Sequence, residues 1–319
     1  MIKLYWPDAK ECEGNGYGYY SHASNMRRES EKLMELTKDA DQALIITSAD
    51  KYFDRVEDKF NWLFTMFELN DIPRRYAENI QKADHLIVPC RFCKELFSRY
   101  TDLPISVVQE GCDTNFYSFK ERKFGMPFRF LWVGAPNPRK GTEEMSLICH
   151  ALQDAPFEIY IKTTLTGKIE KHGNIIFDSR SLNSQELLDL YHSAHAFILP
   201  SRGEGWGLTL CEAMSTGLPC IAPRHTGIAD FFDSDVGYVI ESELRDTYEP
   251  NYELETKCYF PDPGHAVELM AKVYKYYDEA LAKGKKAAKR IRDKFQWKHA
   301  AQRLLEVISN ERTECQQIN

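Results

Sequence analysis

The sequence predicts an α/β protein built from two Rossmann-like domains that face each other across a cleft. Three observations carry this prediction: apolar strands alternate with amphipathic helical segments, the strands form two series, and a polar link separates the series. Such alternation is typical of parallel sheets covered by helices on both faces. The length of 319 residues also exceeds what one hydrophobic core usually serves.

The strands are predicted from short β-branched or aromatic runs that precede and follow the polar link. Those before the link are 2–6, 43–47, 62–67, 85–89 and 105–108. Those after the link are 128–134, 157–163, 174–177, 196–200 and 219–222. We therefore predict an N-terminal domain at 1–120, a C-terminal domain at 121–295 and a closing helix at 296–319.

The C-terminal tail predicts two or three helices, one of which carries a basic run from Lys283 to Lys294. A solvated helix face is the favoured interpretation of this run. Contact with an acidic membrane surface or another polyanion is the alternative.

Composition limits the class of protein. Hydrophobic residues make up 43% and charged residues 28%, and the net charge is −7, so any nucleic-acid contact needs a local basic patch. The sequence shows neither a signal peptide nor a membrane-spanning run. This predicts a cytoplasmic protein, with peripheral membrane contact as a further possibility.

The nine cysteines predict reduced, buried thiols. Cys90 and Cys93 have metal-like spacing but lack a second pair, which favours a structural role over a metal or redox site.

Three segments carry residues suited to chemistry. In VGAPNPRKGTEE, a strand ends at Gly134, and Arg139 and Lys140 precede a predicted helix. Two cations at a strand-to-helix junction suit a phosphate diester, although an ordinary surface turn is the alternative.

The second segment is GEGWGLTLCEAM, which places Glu204 on a glycine-rich loop and Glu212 in a helix. Gly205 and Gly207 allow close backbone approach to a ligand, and the helix start offers free N–H groups to an anion. The two carboxylates lie up to ~12 Å apart at ~1.5 Å per residue, a reach suited to a nucleotide sugar. A helix cap with a solvated glutamate is the alternative.

The third segment, EGNGYGYYSH at 13–22, predicts a flexible loop containing Gly14, Gly16 and Gly18 at the end of the first strand. Its glycine spacing does not match the dinucleotide fingerprint, which argues against NAD binding.

With these segments in place, PSRGEGWGLTLCEAMSTGLPCIA resembles the E-x7-E signature of family 4 retaining glycosyltransferases, which have the GT-B fold. The segments FRFLWVGAPNPRKG, LLDLYHSAHAFILPS, KADHLIVPCRFCKELF, VVQEGCDTNFYSF and KFQWKHAAQRLLEVI are similar to other parts of the same family. The resemblance extends from residue 1 to about 309, and it implies that the closing helix packs back on the first domain.

The resemblance implies roles for these residues. Arg139 and Lys140 would bind the donor pyrophosphate, Glu204 the donor sugar and Glu212 the ribose. The first domain would hold the acceptor and the second the nucleotide sugar. The complete predicted donor-binding set is Gly16, Gly134, Arg139, Lys140, Glu204, Gly205, Trp206, Gly207, Leu208 and Glu212.

The catalytic candidates are Glu204, Arg139 and Lys140, to which we add His22 and Glu68 as possible contacts to the sugar or acceptor. A structural role is the alternative for His22. Glu68 is expected to end an apolar strand, where an unpaired carboxylate is costly. Many relatives carry an arginine where this chain has Ala135, so either Arg139 supplies that charge or donor affinity is weaker.

The leading functional hypothesis is a metal-independent retaining transferase that moves a hexose from a UDP- or GDP-linked donor to an acceptor hydroxyl by a front-face path, with no cofactor. The expected acceptor is a glycan or a lipid-linked sugar. One alternative is a catalytically silent sugar-nucleotide-binding partner of another transferase. The other is a transferase acting on modified DNA, which the acidic net charge disfavours.

Overall fold

The computed structural model describes residues 2–6, 16–49, 54–164 and 167–318, with side chains described throughout these ranges except at 16–20 and 311–318. The chain divides into two compact units. Unit 1 comprises Met1–Gly111, Thr247–Lys257 and Phe295–Asn319, and unit 2 comprises Cys112–Asp246 and Cys258–Lys294.

Unit 1 is built on parallel strands. They are β1 (Lys3–Leu4), β2 (Glu35–Leu36), β3 (Gln42–Ile46), β4 (Phe60–Phe64), β5 (His85–Val88) and β6 (Ile105–Val107). The main sheet has the order β3-β4-β5-β6, and β1 pairs with β2. A parallel bridge from Tyr5 to Ala43 connects β1 with β3. Every residue of β5 is buried, as expected for a parallel strand with both faces covered.

Four helices belong to unit 1 within the described residues: α1 (Gly16–Ser30), α2 (Arg74–Ile80), α3 (Arg91–Phe97) and α9 (Trp297–Ile318). Helix α9 contacts α1, and Trp297, Ala300 and Leu304 of α9 are buried. The closing helix therefore groups with unit 1.

Unit 2 contains a larger sheet. Its strands are β7 (Arg129–Val133), β8 (Glu158–Lys162), β9 (Ile169–His172), β10 (Ile175–Asp178), β11 (Ala196–Ile198), β12 (Cys220–Pro223) and β13 (Tyr238–Ile240). Their order is β13-β12-β11-β7-β8-β10-β9. Neighbouring strands of this sheet are parallel, except that the edge strand β9 is antiparallel to β10.

The helices of unit 2 are α4 (Thr142–Ala151), α5 (Ser184–Ser193), α6 (Leu208–Ser215), α7 (Pro263–Lys275) and α8 (Tyr277–Lys294). Local sequence explains their starts. Asn183 and Glu186 form a reciprocal capping box at α5. Asp262 accepts two backbone N–H groups at α7, where Pro263 takes the first helical position.

The two-domain α/β fold class is confirmed, and all ten predicted strands overlap observed ones. Five strands were not predicted: β2, β9, β13, and the pair β14 (Ser242–Glu249) and β15 (Leu254–Pro261). The division between units also differs from our single cut, because residues 112–120 group with unit 2 and residues 247–257 with unit 1.

The predicted glycine loop at 13–22 is wrong in its second half. Gly16 is the first residue of α1 and Gly18 lies inside the same helix, while Gly14 lies outside the described residues. A glycine costs a helix about 1 kcal/mol. Burial of Ala23 and Met26 on the same helix contributes enough to offset that cost.

Glu68 does not end a strand either. Strand β4 stops at Phe64, and Glu68 follows in a connecting segment where it is partly exposed. The apolar run continues to Phe67 because that residue is buried in a ring cluster with Tyr76 and Tyr252, without strand pairing.

Candidate functional site

The strand order of unit 2 creates a switch point between β7 and β11. From β7 the chain proceeds through β8 and β10 on one side, and then returns to β11, β12 and β13 on the other. In open parallel sheets, ligands bind outside the carboxyl ends of the strands at such a point. The segments after Val133 and after Ile198 therefore border the expected site.

The turn after β7 carries the two predicted cations. Gly134 follows the strand, and Arg139 and Lys140 lie in a short 3₁₀ helix that the side chain of Asn137 caps. Gly141 then starts α4 with φ +79°, and a Cβ atom there would lie 2.0 Å from the carbonyl oxygen of Pro200. Only glycine allows this turn to pack so closely against the segment after β11.

Glu204 is buried in the segment after β11 and contacts both predicted cations. Its carboxylate oxygens lie 2.6 and 2.9 Å from Lys140 Nζ and 3.8 Å from an Arg139 nitrogen. Ser201 Oγ donates a further hydrogen bond of 2.9 Å. Arg139 also donates to the carbonyl oxygen of Gly203 at 2.6 Å. The structure thus joins the loop glutamate and the basic turn into one charged cluster.

The pKa of Glu204 reflects this environment. Burial alone raises the pKa, but the charges of Lys140 and Arg139 and the hydrogen bonds from Lys140 and Ser201 outweigh burial and hold it below its usual value. Glu204 is therefore a carboxylate at neutral pH, and it can accept hydrogen bonds from a ligand hydroxyl.

The backbone of Glu204 is fixed from the other side by the segment after β12. Its N–H donates to Thr226 Oγ1 at 3.0 Å, and its carbonyl oxygen accepts from the N–H of Gly227 at 2.9 Å. A Cβ on Gly227 would lie 2.2 Å from the carbonyl oxygen of Gly205, so the two segments are in close contact.

Helix α6 begins immediately after this loop. Gly207 precedes its first residue, Leu208, and has φ +106°, which glycine tolerates. Trp206 is buried, and its ring lies 4.8 Å from that of Phe231. The N-terminus of α6 thus lies three residues from Glu204, where its free N–H groups favour an anion.

Glu212 lies in the second turn of α6, at the edge of the core, where it keeps partial exposure. Tyr191 Oη donates a hydrogen bond of 2.8 Å to its carboxylate, and Tyr117 also lies against it. Burial of the carboxyl group raises its pKa to about 7, although the two tyrosines oppose the shift.

Gly16, His22 and Glu68 belong to unit 1, whereas the charged cluster lies in unit 2. His22 is fully buried, with Nδ1 2.7 Å from a carboxylate oxygen of Glu110 and its ring beside Phe64 and Trp297. These contacts place the His22 ring between α1, β4 and α9.

The remaining sequence features have structural explanations. Cys90 and Cys93 are buried, and Cys90 Sγ accepts the N–H of Cys93 at the start of α3. The basic run lies on α8, where Lys285 pairs with Glu121 and Arg290 with Asp233. Within the described ranges, no group of three metal-ligating side chains gathers and no helix is long and apolar enough to cross a membrane.

Comparison with known proteins finds a family that resembles the stretch carrying both glutamates. Residues 163–304 match a family model described as "Family 4 Glycosyltransferase in conflict systems". This stretch is similar to that of family 4 glycosyltransferases. It contains β11, Glu204, α6 and Glu212, whereas Arg139 and Lys140 precede it.

Curated relatives agree with this assignment. The chain is 28% identical over 153 residues to MMP alpha-(1->4)-mannosyltransferase of Mycolicibacterium hassiacum, covering 42% of this chain and 36% of the relative. It is 26% identical over 162 residues to D-inositol 3-phosphate glycosyltransferase of an Arthrobacter species, covering 43% and 38%. The chain thus spans little more than a third of the length of these family 4-type relatives.

Solved glycosyltransferases share the fold over most of the chain. Sucrose-phosphate synthase from Thermosynechococcus elongatus superposes with a TM-score of 0.64 at 15% identity, covering 85% of this chain and 74% of that one. TarM superposes with a TM-score of 0.60 at 16% identity, covering 88% and 57%. The fold is therefore GT-B.

Several residues of the site were missed by the sequence analysis. Ser201, Thr226 and Tyr191 contact the two glutamates but come from separate segments of unit 2. Only Ser201, three residues before Glu204, was close enough in the sequence to be noticed.

Proposed function

We propose that this chain is a retaining glycosyltransferase that transfers a hexose from a nucleotide-sugar donor to an acceptor hydroxyl without a metal ion. The observation that carries the proposal is the contact of Glu204 with Lys140 and Arg139 at the switch point, four residues before α6. Two cations and a helix start suit a diphosphate, and the adjacent carboxylate suits a sugar hydroxyl.

The cations would stabilise the charge that develops on the departing nucleotide. The bond from the anomeric carbon to the phosphate oxygen breaks, and the acceptor oxygen bonds to that carbon from the same face. The acceptor proton passes to an oxygen of the leaving phosphate. Lys140 and Arg139 supply the positive charge that a divalent cation supplies in other transferases.

In the free protein, the Glu204 carboxylate pairs with the lysine that would bind the donor diphosphate. Lys140 is held by both oxygens of Glu204, so a diphosphate must share or replace that ion pair. Binding would leave Glu204 free to accept a sugar hydroxyl. We expect UDP- or GDP-linked donors, and a structure of TarM has been solved with UDP. A glycan or lipid-linked acceptor remains our expectation.

The first experiment measures thermal stabilisation of the protein by UDP, GDP, ADP, CMP and dTDP and by their sugars, with EDTA present. Binding at one hundred times Kd stabilises a fold by about 2.7 kcal/mol, which this assay detects. A shift with one nucleoside diphosphate supports the proposal and identifies the donor base. A shift with none of them contradicts it and favours a catalytically silent protein.

Substitutions at the two ends of the site test the assignment of residues. Lys140→Ala and Glu212→Ala should each weaken binding of the nucleoside diphosphate by roughly 10- to 100-fold, because each removes a charged hydrogen-bonding partner. Lys140→Ala also leaves Glu204 without its closest cation and lowers thermal stability. Affinity is therefore measured by calorimetric titration well below the melting temperature.

Lys286→Ala, a change of an exposed lysine on α8, is the matched control and should bind as the wild type does. Unchanged affinity in both site variants would contradict the assignment. The anomeric configuration of the product, read by NMR, tests retention: inversion would contradict the front-face path.

A further inference from the structure

The segment after β12 contains an unusual backbone conformation beside Glu204. Thr226 has φ +50°, in the left-handed region that β-branched residues rarely adopt, and it is buried. Such strain is costly and concentrates at functional sites. Here it brings Thr226 Oγ1 to the N–H of Glu204, 3.0 Å away.

The same segment presents a buried histidine. His225 is 7% exposed, and its ring stacks on Tyr259 with the centroids 4.2 Å apart and the planes 7° from parallel. Burial lowers the pKa of His225 to about 3, and the negative charge of Glu204 opposes the shift only in part. The imidazole is therefore neutral, with one nitrogen as donor and the other as acceptor.

Thr226 is the partner of one ring nitrogen of His225. Thr226 Oγ1 accepts from the N–H of Glu204 and lies a long 3.5 Å from His225 Nδ1. A hydroxyl donates one hydrogen bond and accepts two, so this contact fits a proton on either ring nitrogen. Among the residues that the structure describes, Nε2 is buried and has no hydrogen-bond partner.

A buried polar nitrogen without a hydrogen-bond partner is costly, and such groups in native proteins have a reason. We propose that His225 Nε2 forms a hydrogen bond with a hydroxyl of the donor hexose, so that His225 determines which sugar is accepted. The inference rests on the proposed function, because it places the hexose beside Glu204. The Glu204 carboxylate would accept a hydrogen bond from the sugar, and a sugar hydroxyl can serve Nε2 either as acceptor or as donor.

The variant His225→Phe tests this contact. Phenylalanine keeps an aromatic ring against Tyr259 but removes Nε2. We expect the affinity for UDP and GDP to stay unchanged, while the affinity for the preferred sugar among UDP-glucose, UDP-N-acetylglucosamine, GDP-glucose and GDP-mannose falls about tenfold. His225→Gln, which retains a donor near the position of Nε2, should recover part of the loss. His150→Phe, at an exposed position on α4, is the control and should change neither affinity.

Deoxy analogues of the preferred nucleotide sugar separate a direct contact from a structural effect. If His225 holds one hydroxyl, the wild type binds the analogue that lacks this hydroxyl about tenfold more weakly than the parent sugar. His225→Phe should bind that analogue and the parent sugar with equal affinity. Equal losses in wild type and variant across all deoxy analogues would overturn the inference. Unchanged nucleotide-sugar affinity in His225→Phe would also overturn the inference. That result is expected if an ordered water, and not the sugar, is the partner of Nε2.

The failure of the proposed function has a different signature. A wild-type protein that binds neither the nucleoside diphosphates nor their sugars refutes the donor site itself, and the contact of His225 with it. A different result refutes only the role of His225. In that case wild type and variant bind nucleotides alike, and the substitution changes the affinity for none of the nucleotide sugars.

Discussion

At the scale of single residues, the carboxyl group of Glu212 gives the site a pH dependence. Its pKa is raised to about 7, so the group gains its charge between about pH 6 and pH 8. If the carboxylate accepts a hydrogen bond from ribose, affinity for the nucleoside diphosphate should rise over that interval. Calorimetric titration at several pH values measures this, and Glu212→Gln should flatten the dependence. A wild-type affinity that is constant from pH 6 to pH 8 would contradict a ribose contact through the charged form.

The same pKa has a consequence for stability with a defined sign. Between the ordinary value of 4.5 and about 7 the folded protein holds this proton and the unfolded chain has released it. The contribution of Glu212 to the free energy of unfolding therefore falls as the pH rises through that window. Glu212→Gln should remove this fall. The free energy of unfolding of the variant, measured with urea, should therefore increase relative to that of the wild type between pH 5 and pH 7.5. A difference between the two proteins that does not change with pH would show that the shift is absent.

Gly141 allows a test of how tightly the basic turn is held. Alanine there adds left-handed strain of about 1 to 2 kcal/mol and a Cβ that overlaps the carbonyl oxygen of Pro200. The loss in free energy of unfolding should exceed the strain alone, and nucleotide binding should weaken with it. Gly173→Ala is the control, since Gly173 has φ +61° but its Cβ would meet its closest atom at 3.8 Å. Equal losses in urea unfolding would show that the contact with Pro200 is unimportant.

The charged residues of the site could be predicted because each of them comes shortly after a predicted strand. Arg139 and Lys140 follow a strand directly, and Glu204 stands between glycines after another. Their meeting across 64 positions follows from the position of β7 beside β11. The contacts of Thr226 and His225 were not predictable, because they depend on side-chain directions after a third strand.

At the scale of elements, most buried strands could be predicted, with β13 as an exception, and the exposed strands could not. All four residues of β9 are exposed, and its sequence IEKH lacks an apolar run. Most residues of β14 and several of β15 are likewise at least partly exposed. Such strands are stabilised by pairing with a neighbour, which leaves little pattern in their own sequence.

Helix α8 contains a glycine whose replacement should have an unexpected sign. In an exposed helix, Gly→Ala stabilises by about 1 kcal/mol. A Cβ on Gly284 would lie 2.4 Å from the carbonyl oxygen of Gly217, where α6 ends, so Gly284→Ala should destabilise by about 1 to 3 kcal/mol. The midpoint of urea unfolding measures the change, with Lys286→Ala as the exposed control on the same helix. Stabilisation by Gly284→Ala would contradict the close packing of α8 against this turn.

At the scale of the whole molecule, the stretches of chain that make up unit 1 predict the effect of removing the last helix. A chain that ends at Lys294 lacks Trp297, Ala300 and Leu304, which are buried in unit 1. Hydrogen exchange should then increase sharply in α1, while β7, β11 and β12 keep their protection. Leu304→Ala, expected to cost about 2 to 5 kcal/mol, is the milder variant and should affect the same region. Full protection of α1 in the shortened chain would show that unit 1 does not need α9.

The division of unit 1 into three separate stretches has a consequence for synthesis on the ribosome. About 180 residues separate Gly111 from Phe295, and all of them must be translated before the helix that completes unit 1 exists. At roughly 5 to 20 residues per second, this delay lasts roughly 10 to 40 s. The nascent N-terminal segment therefore waits, with the ring of His22 not yet covered by Trp297 and α1 not yet in contact with α9. Unit 2 is completed by Lys294, ahead of the last stretch of unit 1, so the part that carries Glu204 and Lys140 is expected to fold first although it is translated second.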